Sequence, residues 1–215
     1  MENEAPSIIH MPGLVEYTAT WQAMQDFTAQ RSADTPDELW LLQHPPIYTL
    51  GQAGLTEHMH QPNAIPLIHT DRGGQITYHG PGQWVVYLLI DLRRRGYGVR
   101  ELVWRMEQTI IDLLGEYGIT AQRREHAPGV YADGAKIASL GLRVRHGCSY
   151  HGLALNTDMD LTPFNAIHPC GYRRLRVTQL RDLVDDVTME HVAQRLLGHL
   201  TRHIVAQPER QDSRG

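Results

Sequence analysis

Apolar residues recur at helix and strand periods along most of the chain. Tyr17, Trp21, Met24 and Phe27 follow one another at spacings of 4, 3 and 3, which predicts an amphipathic helix over roughly Thr18 to Ala29. Leu39-Trp40-Leu41-Leu42 reads as a buried strand ending at Pro45-Pro46, and Ile47-Tyr48-Thr49-Leu50 as a second short one before Gly51. The polar stretch Gln52 to Pro66 predicts a loop. Pro66 to His69 then leads into a turn at Asp71-Arg72-Gly73-Gly74, and Gln75 to His79 runs on to a second turn, Gly80-Pro81-Gly82. Trp84 to Leu92 (WVVYLLIDL) is almost continuously apolar, as in a central strand. Val99 to Tyr117 is the clearest helix, with Leu102, Val103, Met106, Ile110, Leu113 and Leu114 on its core face and Gly118 as its stop. Gly129 to Ala132 and Lys136 to Val144 predict a hairpin about Asp133-Gly134, and Ser149 to Thr157 another strand. A short helix begins near Thr178 and takes in Asp182-Leu183. The last helix runs from about Thr188 to Ile204, with Val192, Leu196, Leu197 and Leu200 turned inward.

The strands come in pairs, and helices do not alternate with them regularly. That pattern favours an α+β fold, with residues 1–206 as a single domain and a frayed polar tail over 207–215. A chain of 215 residues, 41% hydrophobic and 20% charged, can bury a substantial core. Its formal charge of -4 argues against a nucleic-acid partner. Basic residues do gather at Arg93-Arg94-Arg95, at Arg143 and Arg145, and at Arg173, Arg174 and Arg176. Such clusters are either a solvated face or a docking surface for an acidic protein. No apolar run reaches the ~20 residues that span a bilayer, and Glu2 and Glu4 stand where a signal peptide is basic. A cytoplasmic protein with free thiols is expected.

Candidate chemistry centres on two residues. Cys170 lies between Pro169 and Gly171, in a segment without helix or strand period, which presents a thiol at a cleft. Cys148, leading into a strand, reads instead as a small buried hydrophobe. Lys136 is the chain's only lysine among 20 basic residues, and apolar neighbours desolvate its stem. Such a lysine can act as a base toward a nucleophilic thiol. Arg72 to Gln83 packs four glycines between two strands, which makes either a set of tight turns or a backbone wall along which a ligand lies. His79, His151 and His168 flank these motifs and read as hydrogen-bonded structural residues. His58 and His60 alone do not make a metal site, and no metal or other cofactor is expected.

Four blocks, in order, carry a resemblance: Arg72-Gly73-Gly74-Gln75-Ile76-Thr77-Tyr78-His79-Gly80-Pro81-Gly82-Gln83, Lys136-Ile137-Ala138-Ser139-Leu140-Gly141, Tyr150-His151-Gly152-Leu153-Ala154-Leu155-Asn156 and Pro169-Cys170-Gly171. Together they resemble the octanoyl-[acyl-carrier-protein]:protein octanoyltransferases of lipoate biosynthesis. The resemblance implies a mixed sheet plus a smaller second sheet packed with helices, as in biotin and lipoate protein ligases. It implies that Cys170 carries the acyl group as a thioester and that Lys136 lowers the thiol's pKa. The acyl chain would lie against Arg72, Gly73, Gly74, Gln75, Ile76, Thr77, Tyr78, His79, Ser139, Leu140, Gly141, Gly152, Leu153 and Ala154. The implied partners are octanoyl-acyl carrier protein as donor, with lipoyl domains of 2-oxoacid dehydrogenases and the glycine cleavage H protein as acceptors; neither nucleic acid nor membrane is among them. Three competitors differ in chemistry. An ATP-dependent lipoate ligase on the same fold needs no covalent cysteine, and an acyl-carrier-binding module needs no Cys–Lys pair. A cysteine hydrolase normally pairs its thiol with a histidine.

Overall fold

The computed structural model describes residues 4–125, 127–168 and 175–206. Its strands are β1 (Ser7–Leu14), β2 (Glu38–Gln43), β3 (Ile47–Leu50), β4 (Leu67–His69), β5 (Ile76–His79), β6 (Gln83–Leu89), β7 (Ala121–Arg123), β8 (Gly129–Ala132), β9 (Ala135–Arg145) and β10 (Cys148–Asn156). The helices are α1 (Tyr17–Gln30), α2 (Leu92–Arg95), α3 (Val99–Glu116) and α4 (Met189–Val205). Seven strands form one sheet in the order β1-β2-β6-β10-β9-β8-β7, and three form a second in the order β4-β3-β5. Each sheet mixes one parallel pair, β1 with β2 or β3 with β4, among antiparallel ones. The α+β fold with a mixed sheet and a smaller second sheet is therefore present.

Burial on both faces explains the unbroken apolar run of β6. Val86 and Leu88 meet α3 and α4 through Leu102, Met106, Ile110, Leu196 and Leu200. Val85, Tyr87 and Leu89 point to the opposite face, where Met24 of α1 packs with Trp40, Leu42, Tyr150 and Ala154. The small sheet has its own core of Tyr48, Leu50, Ile76 and Tyr78 against Met159, Phe164 and Ile167. The run stops being strand at Leu89 rather than Leu92, because the Asp91 side chain caps α2 by accepting from the Arg93 and Arg94 amides. Near Thr178 the short helix is a 3-10 turn over Leu180–Asp182. No described helix is long and apolar enough to cross a membrane.

Two members of the basic cluster at 93–95 are turned to an internal anion, not only to solvent or a partner. The Asp37 side chain, 0% exposed, receives Arg31 at 2.6 Å, Arg94 at 2.7 Å and Arg95 at 2.7 Å. The Asp91 amide adds a fourth donor at 2.8 Å. Burial alone would raise the Asp37 carboxyl, but the Asp91 amide and the two arginines overcome it and hold the group below its ordinary value. Asp37→Ala strands these cations around a cavity. We expect a loss of about 3–5 kcal/mol in urea unfolding, the range for breaking one side of a buried ion pair. A loss below about 1 kcal/mol, the level of a surface pair, would show that the cluster is solvated in function if not in geometry.

Candidate active site

The loop from Arg72 to Gln75 crosses the large sheet where β9 meets β10, with the Gly73 amide donating to Leu142 O at 2.8 Å. Between that loop, β5 and the β9–β10 ladder lies a cavity of about 250 Å³. Arg72, Gly73, Gly74, Gln75, Ile76, Thr77 and His79 line it from the small-sheet side. Ser139, Leu140, Gly141, Gly152, Leu153 and Ala154 line it from the large sheet, and Lys136 lies at its edge. Of Lys136 and the residues that the resemblance sets against the acyl chain, all but one line this single cavity. Tyr78 is the exception. Period-two alternation turns its ring into the small-sheet core, with centroids 5.5 Å from Tyr48 and 5.5 Å from Phe164.

Arg72 reaches this wall as a brace. Its guanidinium donates to Thr49 O at 2.6 Å, Gln75 O at 2.8 Å and Gly73 O at 2.9 Å, so it holds the loop in shape. Gly74 has φ +84°, and a Cβ there would find nothing nearer than 3.5 Å. The positive φ of the turn by itself favours glycine at 74.

Lys136 is the second residue of β9 and is 3% exposed. Its Nζ donates to Pro128 O at 2.8 Å and lies 5.5 Å from the centroid of the Tyr131 ring. Leu142, six residues further along β9, pairs with His151. At ~3.3 Å per residue, the cavity wall runs for roughly 20 Å from the lysine to that pair. Cys170, Arg173 and Arg174 lie outside the described residues, as does the tail over 207–215. Cys148 is 5% exposed at the start of β10, and burial pushes its thiol up from the ordinary value, as suits an inert residue.

Further groups line and surround the cavity. Tyr17, Tyr87, Val99 and Val103 line it too; Val103 is partly buried and also packs against the core that α3 covers. Asp71 joins three segments by accepting from Trp21 Nε1 at 2.8 Å, Gln25 Nε2 at 3.2 Å, His151 Nε2 at 2.9 Å and the Tyr150 hydroxyl. Against the effect of burial, those donors hold its carboxyl well below the usual range. The positive φ of His151, +60°, lets neighbouring Tyr150 and His151 both reach this one carboxylate. Beside them His44 donates to Val15 O at 2.6 Å and accepts from Tyr87 at 2.6 Å, while His79 donates to Gln83 Oε1 at 2.7 Å.

Burial lowers His44 to about 4 and His79 to about 3. Both titrate near 6.5 in the unfolded chain, so unfolding takes up two protons once the pH falls below that value. Their contribution is complete above about pH 6.5 and is lost as pH falls toward the folded values, at about 1.4 kcal/mol per pH unit for each histidine. The urea midpoint should therefore drop steadily between about pH 6 and pH 4.5. His44→Gln and His79→Gln should each flatten the slope; an unchanged slope in the double variant would assign the acid sensitivity to other groups.

The chain matches the lipoyl protein ligase A/B catalytic domain over residues 16–201. An octanoyltransferase of Thiobacillus denitrificans is 60% identical over 204 residues, which is 95% of this chain and 94% of that protein. The crystal structure of a lipoate-protein ligase A bound with ATP shares the fold at a TM-score of 0.74 and 18% identity, covering 94% of this chain and 86% of that one. A biotin protein ligase from Aquifex aeolicus in complex with biotin and ATP shares it at a TM-score of 0.56 and 11% identity, covering 92% and 70%. By the extent of the domain match and the identity to its relatives, the chain belongs to the lipoyl protein ligase A/B catalytic-domain family.

Proposed function

We propose that this acyltransferase moves an octanoyl group from octanoyl-acyl carrier protein to a lysine of a lipoyl domain, through a thioester on Cys170. The observation that carries the reading is a buried amine, Lys136 Nζ, at the edge of a cavity walled by apolar side chains and bare backbone. In the first half-reaction the Cys170 thiolate attacks the donor thioester carbonyl, and the carrier thiol leaves. In the second, the acceptor lysine amine attacks the acyl-enzyme, an amide forms and the cysteine thiol is regained. Lys136 takes the thiol proton in the first step and the amine proton in the second. The acceptors are lipoyl domains, including those of 2-oxoacid dehydrogenases and the H protein of glycine cleavage. Incubation with octanoyl-acyl carrier protein alone should add one octanoyl group to the intact mass, without ATP. A requirement for ATP would replace this reading with that of a lipoate ligase.

The site of the chain suggests a second test. Ser139 is half-buried on the cavity wall, and its β10 partner Ala154 lines the same space. Ser139→Leu fills part of that space without disturbing a turn. Preference should shift from octanoyl toward hexanoyl donors, by about 0.8 kcal/mol for each methylene displaced. Equal slowing of hexanoyl, octanoyl and decanoyl carrier proteins would place the chain elsewhere.

A further inference from the structure

Glu107 is a buried carboxylate with no part in the chemistry above. It lies on α3 and is 6% exposed. Its Oε1 accepts from the Gly129 amide at 3.0 Å, and its Oε2 stands 3.1 Å from Arg123 Nε. The carbonyl that accepts from Lys136 Nζ at 2.8 Å belongs to Pro128. Pro128 C=O and Gly129 N–H are the two ends of one peptide group. That group is planar and stiff, so its N–H and C=O point in opposite directions and turn together. The carboxylate holds the positive end of the peptide dipole, and the lysine amine meets the negative end. The chain makes room for this arrangement at 129: φ is +142°, and a Cβ there would stand 2.7 Å from Lys136 Cε and 2.9 Å from Nζ.

We propose that Glu107 is a positioning residue for Lys136, acting through the Pro128–Gly129 peptide group. The inference rests on the reading of Lys136 as the base, but its geometry can be tested without the reaction. Because Lys136 is the only lysine in the chain, protein labelled with 13C at lysine Cε shows a single side-chain resonance that reports on this amine. Glu107→Gln keeps an acceptor for the Gly129 amide, whereas Glu107→Leu removes it. Arg123→Gln removes the ion pair and leaves the peptide contact in place. The resonance should move in Glu107→Leu and stay near its wild-type position in Glu107→Gln and Arg123→Gln. In octanoyl transfer, kcat of Glu107→Leu should fall about 100-fold, the scale expected when a reacting group is misplaced by about 1 Å. KM for the donor should stay within about twofold, since substrate binding is untouched.

A folded Glu107→Leu whose lysine resonance does not move overturns the proposal, as does equal loss of kcat in the Gln and Leu variants. Should the Leu variant not fold, Glu107→Asp carries the same test, because withdrawing the carboxylate by one methylene must also move the resonance. If the resonance behaves as expected while wild-type protein fails to accept an octanoyl group, the positioning role stands and the reading of the reaction falls.

Discussion

Cys170→Ala should bring octanoyl transfer to background, a loss on the order of 10⁴-fold or more, with the melting temperature unchanged. On the proposed thioester route the substitution removes the atom that holds the acyl group between donor and acceptor, so no covalent intermediate forms and both half-reactions stop. The sequence sets the residue between Pro169 and Gly171, which suits presentation of a side chain and not packing. Cys148 supplies the internal control. Its thiol is buried at the start of β10 and pushed up in pKa, so Cys148→Ala should keep most activity. Intact mass after incubation with octanoyl-acyl carrier protein separates the cases: wild type and Cys148→Ala gain one acyl group, and Cys170→Ala gains none. Equal loss from both substitutions would mean that the two thiols cooperate or that Cys148 serves more than packing.

What the sequence made legible is what a short-range pattern can encode. α3, α4, β6 and the β8–β9 hairpin follow from periodicity and from Asp133-Gly134, and the cavity wall follows from the blocks that carry the resemblance. β1 escaped because it is an edge strand, mostly exposed, with Pro12 and Gly13 near its end; no alternation marks it. Tyr78 was grouped with its neighbours because a resemblance runs residue by residue, whereas a strand puts alternate side chains on opposite faces. Asp71 and Asp37 were missed for another reason. Their partners come from segments far along the chain, such as Trp21 and Tyr150 for Asp71 and Arg94 and Arg95 for Asp37, and local composition says nothing of such pairings. Glu107 looks like one more polar helix residue until the fold brings Gly129 to it.

Lys136→Arg tests the chemistry most sharply, because it keeps a cation while removing the ability to give up a proton. A lysine that merely stabilised a thiolate would be replaced with modest loss. A lysine that acts as a base would not, and general-base catalysis is worth about 10²–10⁴-fold. The geometry adds a steric question. Nζ is packed against Pro128 O at 2.8 Å and faces the Tyr131 ring, so a guanidinium must displace part of that cradle. Lys136→Met, which fits the cradle and carries neither charge nor proton, separates the two effects. We expect both variants to lose at least about 100-fold in transfer to the acceptor, the lower end of the range for a lost base. The acyl-enzyme should still form slowly in Lys136→Arg, where the cation favours the thiolate, and more slowly in Lys136→Met. Single-turnover kinetics of each half-reaction make the distinction, with acyl-enzyme formation followed by mass and its decay by acceptor modification. If Lys136→Arg passes its octanoyl group to a lipoyl domain at the wild-type rate, the amine proton leaves by another route and Lys136 is only an electrostatic partner of the thiol.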